Sequence, residues 1–297
     1  MSERAPAKIN VCLFVGGTRE ADGRHELVSV MQAVDLADEL RLGSAAESDE
    51  VHCPGVEGPN LVADAIAAFR GRTGWDGPPV RVVVTKRIPV AAGMAGGSAD
   101  AAAALRLLAR QARMDDVALL REIAARLGAD VPAQVLPGRY LATGAGEEVT
   151  ALAPVWPGYS VLVLPSDGRL STAAVYRELD HLGLQRSPAD LAARLGEVHA
   201  ATARRPGGLP EALVVNDLAP AAISLLPSIA EVLGHVRDAG ADHALVSGSG
   251  PTVLGLFGAA AAGRTAAQAL RRHHPRLVLT EPVIAAAGLA PPSARSR

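Results

Sequence analysis

The sequence predicts an α+β protein of two domains, and three observations support this fold class. The chain has 297 residues, about twice the length of a typical domain of roughly 150 residues. Strand-like and helix-like segments alternate irregularly, and in the second half their order is typical of an antiparallel sheet with helices on one face. Residues 154–158, which include two prolines and a glycine, form a candidate linker. We therefore expect domains over residues 1–155 and 156–297.

The first half shows clear strand and helix signals. Apolar residues alternate with other residues from Lys8 to Val15, which indicates a half-buried strand. Asn60 stands where a helix cap is expected, and its side chain can accept a hydrogen bond from the first helical turn. The predicted strands are Lys8–Val15, Glu26–Leu36, Glu39–Leu42 and Val80–Arg87. Three helices are predicted here. The first follows Asn60, the second follows the glycine-rich segment Ile88–Ser98 and ends at about Ala112, and the third runs from Asp115 to Gly128.

The second half alternates in the same way. Its predicted strands are Tyr159–Leu164, His243–Ser247, Thr252–Phe257 and Arg276–Thr280. Its predicted helices are Ser171–Asp180, Ala189–Leu195, Ser228–Ala239 and Ala259–Arg272. Residues 285–297 are expected to be a frayed tail.

Composition argues for a small-molecule partner. The net charge is −2, so no sequence-wide basic field exists to hold a nucleic acid or an anionic membrane surface. Aromatic residues make up only 3% of the chain, which leaves few rings for stacking on single strands. The N-terminus has no apolar signal-peptide core, and the long uncharged stretches contain glycine and proline, so a cytoplasmic protein is expected. Cys12 and Cys53 lack the spacing of a zinc site or a disulfide framework.

Lysine is rare in this chain. Of 29 cationic residues, only Lys8 and Lys86 are lysines. A lysine retained where arginine is otherwise used suggests a need for a compact ammonium with three donors, although chance survival is the alternative. These two positions are therefore candidate functional residues.

The glycine-rich segment Gly93–Ser98 is the strongest local signal. Its glycines allow backbone N–H groups to converge on a phosphate, and the helix that follows adds a partial positive charge. The segment is not a Walker A loop, since no lysine follows the last glycine. It is not a serine-hydrolase nucleophile elbow either, because Asp100 stands where glycine is needed. The alternative interpretation is a plain strand-to-helix turn capped by Ser98.

Two further segments could carry chemistry. The first consists of Ser247, Gly248, Ser249 and Gly250, whose small residues can approach a ligand or another backbone closely, although a tight hairpin would use the same residues. The second is Asp130, an acid just past a helix end, which could act as a base or could only form local hydrogen bonds.

Together these segments resemble the GHMP kinases, small-molecule kinases named for galactose, homoserine, mevalonate and phosphomevalonate. Three motifs carry the resemblance: Ala7–Asn10, Pro89–Ala103 and Val246–Thr252. Within the family, the segments Asp22–Leu27, Gly93–Ala102, Gly128–Pro132 and Asn216–Leu218 are similar to one branch. That branch transfers the γ-phosphoryl group of ATP to the C2 hydroxyl of a CDP-linked methylerythritol in the non-mevalonate isoprenoid pathway. The resemblance extends from Lys8 to about Phe257 and implies a two-domain GHMP kinase fold with the active site between the domains.

The resemblance also implies a role for individual residues. Asp130 matches the catalytic aspartate that accepts the hydroxyl proton, and Lys8 matches the lysine that stabilises it. The residues that match substrate contacts are Asn10, Arg24, His25, Thr172 and Tyr176. The residues that match ATP contacts are Asn60, Lys86, Pro89, Gly93, Met94, Ala95, Gly96, Gly97 and Ser98, and the second-domain loop is Ser247, Gly248, Ser249 and Gly250. Mg²⁺ is expected to enter with ATP, with no protein ligand assigned.

One residue departs from the family pattern. Arg24 stands where the branch usually has an aromatic residue that stacks on the cytosine, with Tyr176 matching the other face of the base. A guanidinium plane can stack on a base, but Arg24 could instead point to solvent or pair with a diphosphate oxygen. Two alternative functions stay open: a GHMP kinase for another alcohol, such as mevalonate or homoserine, and a nucleotide-binding module without catalysis.

Overall fold

The structure, a computed structural model, describes residues 1–90, 92–154, 159–166, 168–204 and 209–284. The strands are β1 Ser2–Thr18, β2 His25–Ser44, β3 Glu50–His52, β4 Val80–Thr85, β5 Arg139–Thr143, β6 Glu148–Ala151, β7 Ser160–Leu164, β8 His243–Val246, β9 Val253–Phe257 and β10 Val278–Thr280. The helices are α1 Leu61–Thr73, α2 Gly96–Gln111, α3 Val117–Leu127, α4 Val131–Gln134, α5 Thr172–His181, α6 Pro188–Arg204, α7 Ala219–Leu225, α8 Ser228–Asp238 and α9 Ala260–Leu270, with a 3₁₀ turn at Glu211–Leu213.

The first sheet is built around the long strand β2. One edge of β2 pairs with β1 along most of its length. The other edge pairs with β5 over residues 29–32 and with β4 over residues 39–44, so these two short strands lie end to end. Strands β3 and β6 extend the sheet, and only the β3–β4 pair is parallel among the described strands. Apolar residues of this sheet, including Leu40 and Val82, pack against α1, α2 and α3.

The second sheet has the order β10-β7-β9-β8 and is antiparallel throughout. Its side chains alternate between two cores. Leu162 and Val246 face the core that contains residues of α8 and α9. Val163 and Leu254 face a different core, which they share with Ile9 of β1. Because this shared core contains residues of both sheets, the two halves of the chain are packed against each other and form the walls of one cleft.

The α+β fold class is confirmed, but the prediction of two strands between Glu26 and Leu42 is wrong. Strand β2 is continuous through Asp38. The Asp38 side chain is fully buried and accepts hydrogen bonds from the backbone N–H groups of Arg87 and Ile88. These bonds satisfy the carboxylate, so the strand does not have to turn outward.

Other boundaries also differ from prediction. Strand β1 extends well beyond Lys8–Val15, because its edge pairs with β2 from Ser2 onward. Helix α6 is longer than Ala189–Leu195 and continues through Gly196. Helix α3 begins after Asp116, whose side chain accepts from Leu119 N at 2.9 Å, and not at Asp115. Strand β3 and helices α4 and α7 were not predicted, since each is shorter than a recognisable periodic pattern.

Two predictions concern residues outside the described ranges. The candidate linker 154–158 includes residues 155–158, and the tail comprises residues 285–297. The domain boundary at 155/156 therefore stays a prediction. Within the described ranges, none of the helices combines the length and apolar character needed to cross a bilayer.

Candidate active site

A cleft of about 820 Å³ lies between the two halves of the chain. Most of the residues singled out from the sequence line it: Lys8, Asn10, Arg24, His25, Asn60, Lys86, Pro89, Gly93, Met94, Ala95, Gly96, Gly97, Asp130, Thr172, Tyr176, Gly248 and Ser249. Ser98, Ser247 and Gly250 are not among the lining residues. Residues far apart in sequence thus meet in one volume large enough for a nucleotide-sized ligand.

Lys8 and Asp130 form an ion pair in this cleft. Lys8 lies in β1 and Asp130 immediately precedes α4, and Lys8 Nζ is 3.3 Å from Asp130 Oδ1. The lysine side chain is 8% exposed, whereas the aspartate is 32% exposed. The backbone N–H of Lys8 also donates to the carbonyl of Met94, which ties this strand to the glycine-rich loop. The pair therefore offers an accessible carboxylate whose position is fixed by a buried ammonium.

Asn10 extends this pair into a short hydrogen-bond chain. Lys8 Nζ donates to Asn10 Oδ1 at 2.9 Å, and Asn10 Nδ2 donates to Ser29 Oγ at 2.7 Å. Ser29 Oγ in turn donates to the carbonyl of Cys12 at 2.6 Å. Because each group has a defined donor or acceptor role, the chain holds the amide oxygen of Asn10 toward the ammonium.

The first glycine-rich loop leads into α2. Ala95 occupies the cap position in a left-handed conformation with φ of 54°, and Gly93 has φ of 67°. The helix begins at Gly96, so the alternative interpretation of a turn capped by Ser98 is wrong. The N–H groups of the first helical turn have no partner within the helix. Gly96 and Gly97 of this turn line the cleft, and free N–H groups at a helix start can bind the oxygens of a phosphate.

The second glycine-rich loop contacts the first. Ser247 Oγ donates to the carbonyl of Gly93 at 3.0 Å. A Cβ atom on Gly93 would lie only 2.2 Å from the carbonyl oxygen of Ser247, so this position requires glycine. Asn216 holds the second loop from behind, because its Nδ2 donates to the carbonyls of Val246 and Gly248 at 2.8 and 2.7 Å. The loop does connect two antiparallel strands, but it also builds one wall of the cleft.

Lys86 lies between two carboxylates, at the end of the cleft next to the first glycine-rich loop. Its Nζ donates to Asp100 Oδ2 at 2.7 Å and also to Asp38. Burial alone would lower the pKa of Lys86, but the two carboxylates raise it above its usual value. Asn60 lies nearby and caps α1 as predicted, since its Oδ1 accepts from Val62 N at 2.9 Å.

The opposite end of the cleft contains aromatic and charged side chains. The rings of His25 and Tyr176 are 4.9 Å apart, and His25 Nε2 shares a hydrogen bond with Asp180 Oδ1 at 2.7 Å. Burial raises the pKa of the Tyr176 hydroxyl to about 12, so the ring carries a neutral hydroxyl at physiological pH. Burial would also raise the pKa of Asp180, but hydrogen bonds from His25 and Gln185 outweigh it and lower the pKa. Thr172 Oγ1 lies 3.0 Å from Ser249 Oγ.

Arg24 stands at the rim of this end. Its backbone N–H donates to Asp22 Oδ1 at 3.1 Å, and its guanidinium donates to the carbonyl of Ala145 at 2.9 Å. Glu147 lies 3.5 Å from the same guanidinium, and the side chain is 44% exposed. Arg24 is therefore anchored through its guanidinium, while its side chain as a whole stays partly exposed.

Sequence reasoning missed several residues that shape the site, namely Ser29, Asp38, Asp100 and Asp180, and it noted Asn216 only as part of the Asn216–Leu218 motif, without a role. Their partners lie far away in sequence, so no local spacing reveals them. For Asp100 there was one signal, a single acid on the otherwise alanine- and leucine-rich face of the helix that follows the glycine loop. A buried charge in such a helix calls for a partner of opposite charge.

Comparisons with known proteins agree with this geometry. The family descriptions "GHMP kinases N terminal domain" and "GHMP kinases C terminal" match residues 60–138 and 198–276. A protein of Anaeromyxobacter sp. (strain K), named 4-diphosphocytidyl-2-C-methyl-D-erythritol kinase, is 42% identical over 90% of this chain and 84% of its own length. A protein of the same name from Streptomyces avermitilis is 43% identical over 90% of this chain and 91% of its own length.

A solved structure is similar as well. The crystal structure of a 4-(cytidine 5'-diphospho)-2C-methyl-D-erythritol kinase matches with a TM-score of 0.74 and 34% identity, covering 94% of this chain and 98% of that one. The likeness in sequence and in fold thus spans both sheets and the cleft between them. The chain belongs to the GHMP kinase family, and within it to the branch of the 4-diphosphocytidyl-2-C-methyl-D-erythritol kinases.

Proposed function

We propose that the protein transfers the γ-phosphoryl group of ATP to the C2 hydroxyl of 4-CDP-2-C-methyl-D-erythritol. The observation that carries this proposal is the Lys8–Asp130 pair in the same cleft as the glycine-rich loop Gly93–Gly97. The relatives that are about 42% identical bear the name of this kinase. A nucleotide-binding module without catalysis would not need the ion pair, so the pair favours an enzyme.

In this proposal Asp130 is the general base. A tertiary alcohol is a weak nucleophile, and transfer depends on placing it in line with the γ-phosphate and removing its proton. The exposed part of the Asp130 carboxylate can accept that proton, while Lys8 keeps the carboxylate in place and stabilises negative charge on the oxygen. Asn10, fixed by Ser29, would bind the substrate hydroxyl or a phosphate oxygen beside the pair.

ATP would lie with its phosphates against the first turn of α2. The free N–H groups of that turn suit phosphate oxygens. The nucleoside would extend toward Asn60 and Lys86. Mg²⁺ would enter with ATP and neutralise its phosphate charge. Among the described residues no group of three or more His, Cys, Asp and Glu is arranged to hold a metal ion, and we assign no protein ligand.

The cytidine of the acceptor would bind at the other end of the cleft. His25 and Tyr176 offer a ring edge and a ring face, and Arg24 offers the plane that an aromatic residue usually provides in this branch. Thr172 and Ser249 would contact the diphosphate from the second half of the chain. We place the reaction in the cytoplasm.

A coupled assay of ADP release tests the proposal. The purified protein should release ADP from Mg-ATP rapidly with 4-CDP-methylerythritol and only slowly without it. Mevalonate and homoserine serve as competing acceptors, and neither should support more than a few per cent of the rate. Equal rates with all three alcohols would overturn the assigned substrate, and a rate that is independent of any alcohol would overturn the kinase assignment.

A further inference from the structure

A buried cluster of three charged residues lies behind the glycine-rich loop. Asp38 of β2, Lys86 after β4 and Asp100 of α2 have side chains that are 0%, 15% and 5% exposed. Lys86 Nζ lies between the two carboxylates and donates to both. With all three groups ionised the cluster carries one net negative charge, in a part of the protein from which water is largely excluded.

The two carboxylates of the cluster are not equivalent. Asp38 Oδ1 accepts from the backbone N–H groups of Arg87 and Ile88, so its charge is well satisfied. Asp100 Oδ1 is buried without a hydrogen-bond partner among the described residues. An unpaired buried carboxylate oxygen favours the protonated form of the acid. Burial raises the pKa of Asp100 to about 7 even though Lys86 lowers it, and the neighbouring Asp38 carboxylate adds to the rise.

The cluster is in contact with the cleft. Both Lys86 and Asp100 are lining residues, and Asp100 lies one helical turn after Gly96. A Cβ atom on Gly96 would be only 3.3 Å from Lys86 Nζ, so the loop lies directly over the ammonium. Among the described residues, the thiol of Cys53 is also affected by these charges: burial raises its pKa, Lys86 opposes the rise, and Asp100 and Asp38 add to it. A triphosphate on the loop would therefore face a cluster of like net charge.

We infer that Asp100 takes up a proton from solvent when ATP binds to the glycine-rich loop, which removes the net negative charge of the cluster. The inference rests on the proposed function, because it requires ATP at this loop. The proton joins the Asp100 carboxylate, and no other covalent bond changes. Lys86 then remains bound to Asp38 and presents its positive charge to the nucleotide. Asp100 is thus a positioning residue that adjusts the charge met by the phosphates.

Calorimetry measures this proton directly. Mg-ATP is titrated into the protein without the alcohol, so that no transfer occurs, in two buffers of different ionisation enthalpy at pH 7. The difference in heat gives the number of protons taken up per nucleotide. The raised pKa of Asp100 lies near this pH, so a fraction of a proton should be taken up per nucleotide. Asp100→Asn should lose this uptake, while Asp64→Asn, at an exposed position on α1, should keep it.

The ionisation of ATP itself is common to all three proteins and cancels in the comparison. Equal proton uptake by wild type and a folded Asp100→Asn variant would overturn the inference and leave the proposed function intact. If the variant does not fold, the wild-type count, corrected at each pH for the known ionisation of Mg-ATP, decides: uptake should rise from pH 6 to pH 8, and a constant or falling count would overturn the inference. Failure of the wild type to bind Mg-ATP at all would overturn both proposals.

Discussion

The two lysines of the chain differ in their surroundings more than in their burial. Lys8 meets one partly exposed carboxylate, Asp130, at 3.3 Å, and lies beside the open part of the cleft. Lys86 is held between two nearly inaccessible carboxylates, Asp38 and Asp100. A lysine with one accessible partner can help a reacting group, whereas a lysine enclosed by two acids holds elements together. Scarcity in the sequence identified both residues but could not separate these roles.

The largest effect is expected at the carboxylate of the Lys8 pair. Asp130→Asn removes the base but keeps the size of the side chain. We expect kcat to fall by about 10²- to 10⁴-fold, with little change in ATP binding. Steady-state kinetics and calorimetric titration of Mg-ATP check this. Near-wild-type turnover would contradict the assigned role and remove the contrast between the two lysines.

Removing the enclosed lysine should affect stability. Lys86→Met leaves two buried carboxylates without their cation, and breaking a buried ion pair costs about 3–5 kcal/mol. Denaturant unfolding should show this loss. Lys8→Met is the matched control and should cost clearly less, because Asp130 can be solvated. Equal losses in both variants would show that the lysines do not differ as we describe.

Lys8→Arg sharpens the comparison without removing charge. The guanidinium is larger and planar, so it cannot occupy the space between Asn10 and Asp130 in the same way. We expect kcat to fall by up to about 100-fold, because a small misplacement of a catalytic group can lower the rate by this factor. The melting temperature should not change. Full activity of this variant would mean that lysine was kept at position 8 by chance.

The comparison extends to Arg24, the cation at the cytidine end. If its plane stacks on the base, Arg24→Ala should raise KM for the CDP-alcohol by roughly 5- to 150-fold, since stacking is worth ~1–3 kcal/mol per base. KM for ATP should change little, and Arg24→Tyr should retain activity. Pairing with a diphosphate oxygen predicts instead that the tyrosine variant fails like the alanine variant and that salt weakens binding. An unchanged KM in Arg24→Ala would exclude any role in binding.

The smallest expected effect is a pH dependence of stability. The pKa of Asp100 is raised from 3.8 to about 7 in the folded protein. Folding therefore favours the protonated form of Asp100. The resulting contribution to the free energy of unfolding is complete below pH 3.8 and is lost as the pH rises through about 7. The melting temperature should fall by a few degrees between pH 6 and pH 8. Asp100→Asn should show a smaller fall, and an identical fall in a folded variant would contradict the assignment.

Sequence reasoning identified elements and residues whose signal is local. The alternation in β1, the cap at Asn60 and the glycine loop before α2 each depend on neighbours a few residues away. The continuity of β2 through Asp38 could not be read in this way, because the amides that satisfy Asp38 come almost fifty residues later. The same holds for Asn216, whose acceptors lie thirty residues downstream. The roles of the site residues came from family resemblance, while the contacts that position them are set by tertiary structure.

The contact between Gly93 and Ser247 has a consequence for the biogenesis of the protein. The two residues are 154 positions apart, and translation delivers the chain from its N-terminus at roughly 5–20 residues per second. While the first half is emerging from the ribosome, the loop at Gly93 has no Ser247 loop to pack against, because that loop has not yet been synthesised. The nucleotide site is therefore completed only when the second glycine loop has been synthesised and docked, so a chain interrupted before Ser247 would lack a finished phosphate site.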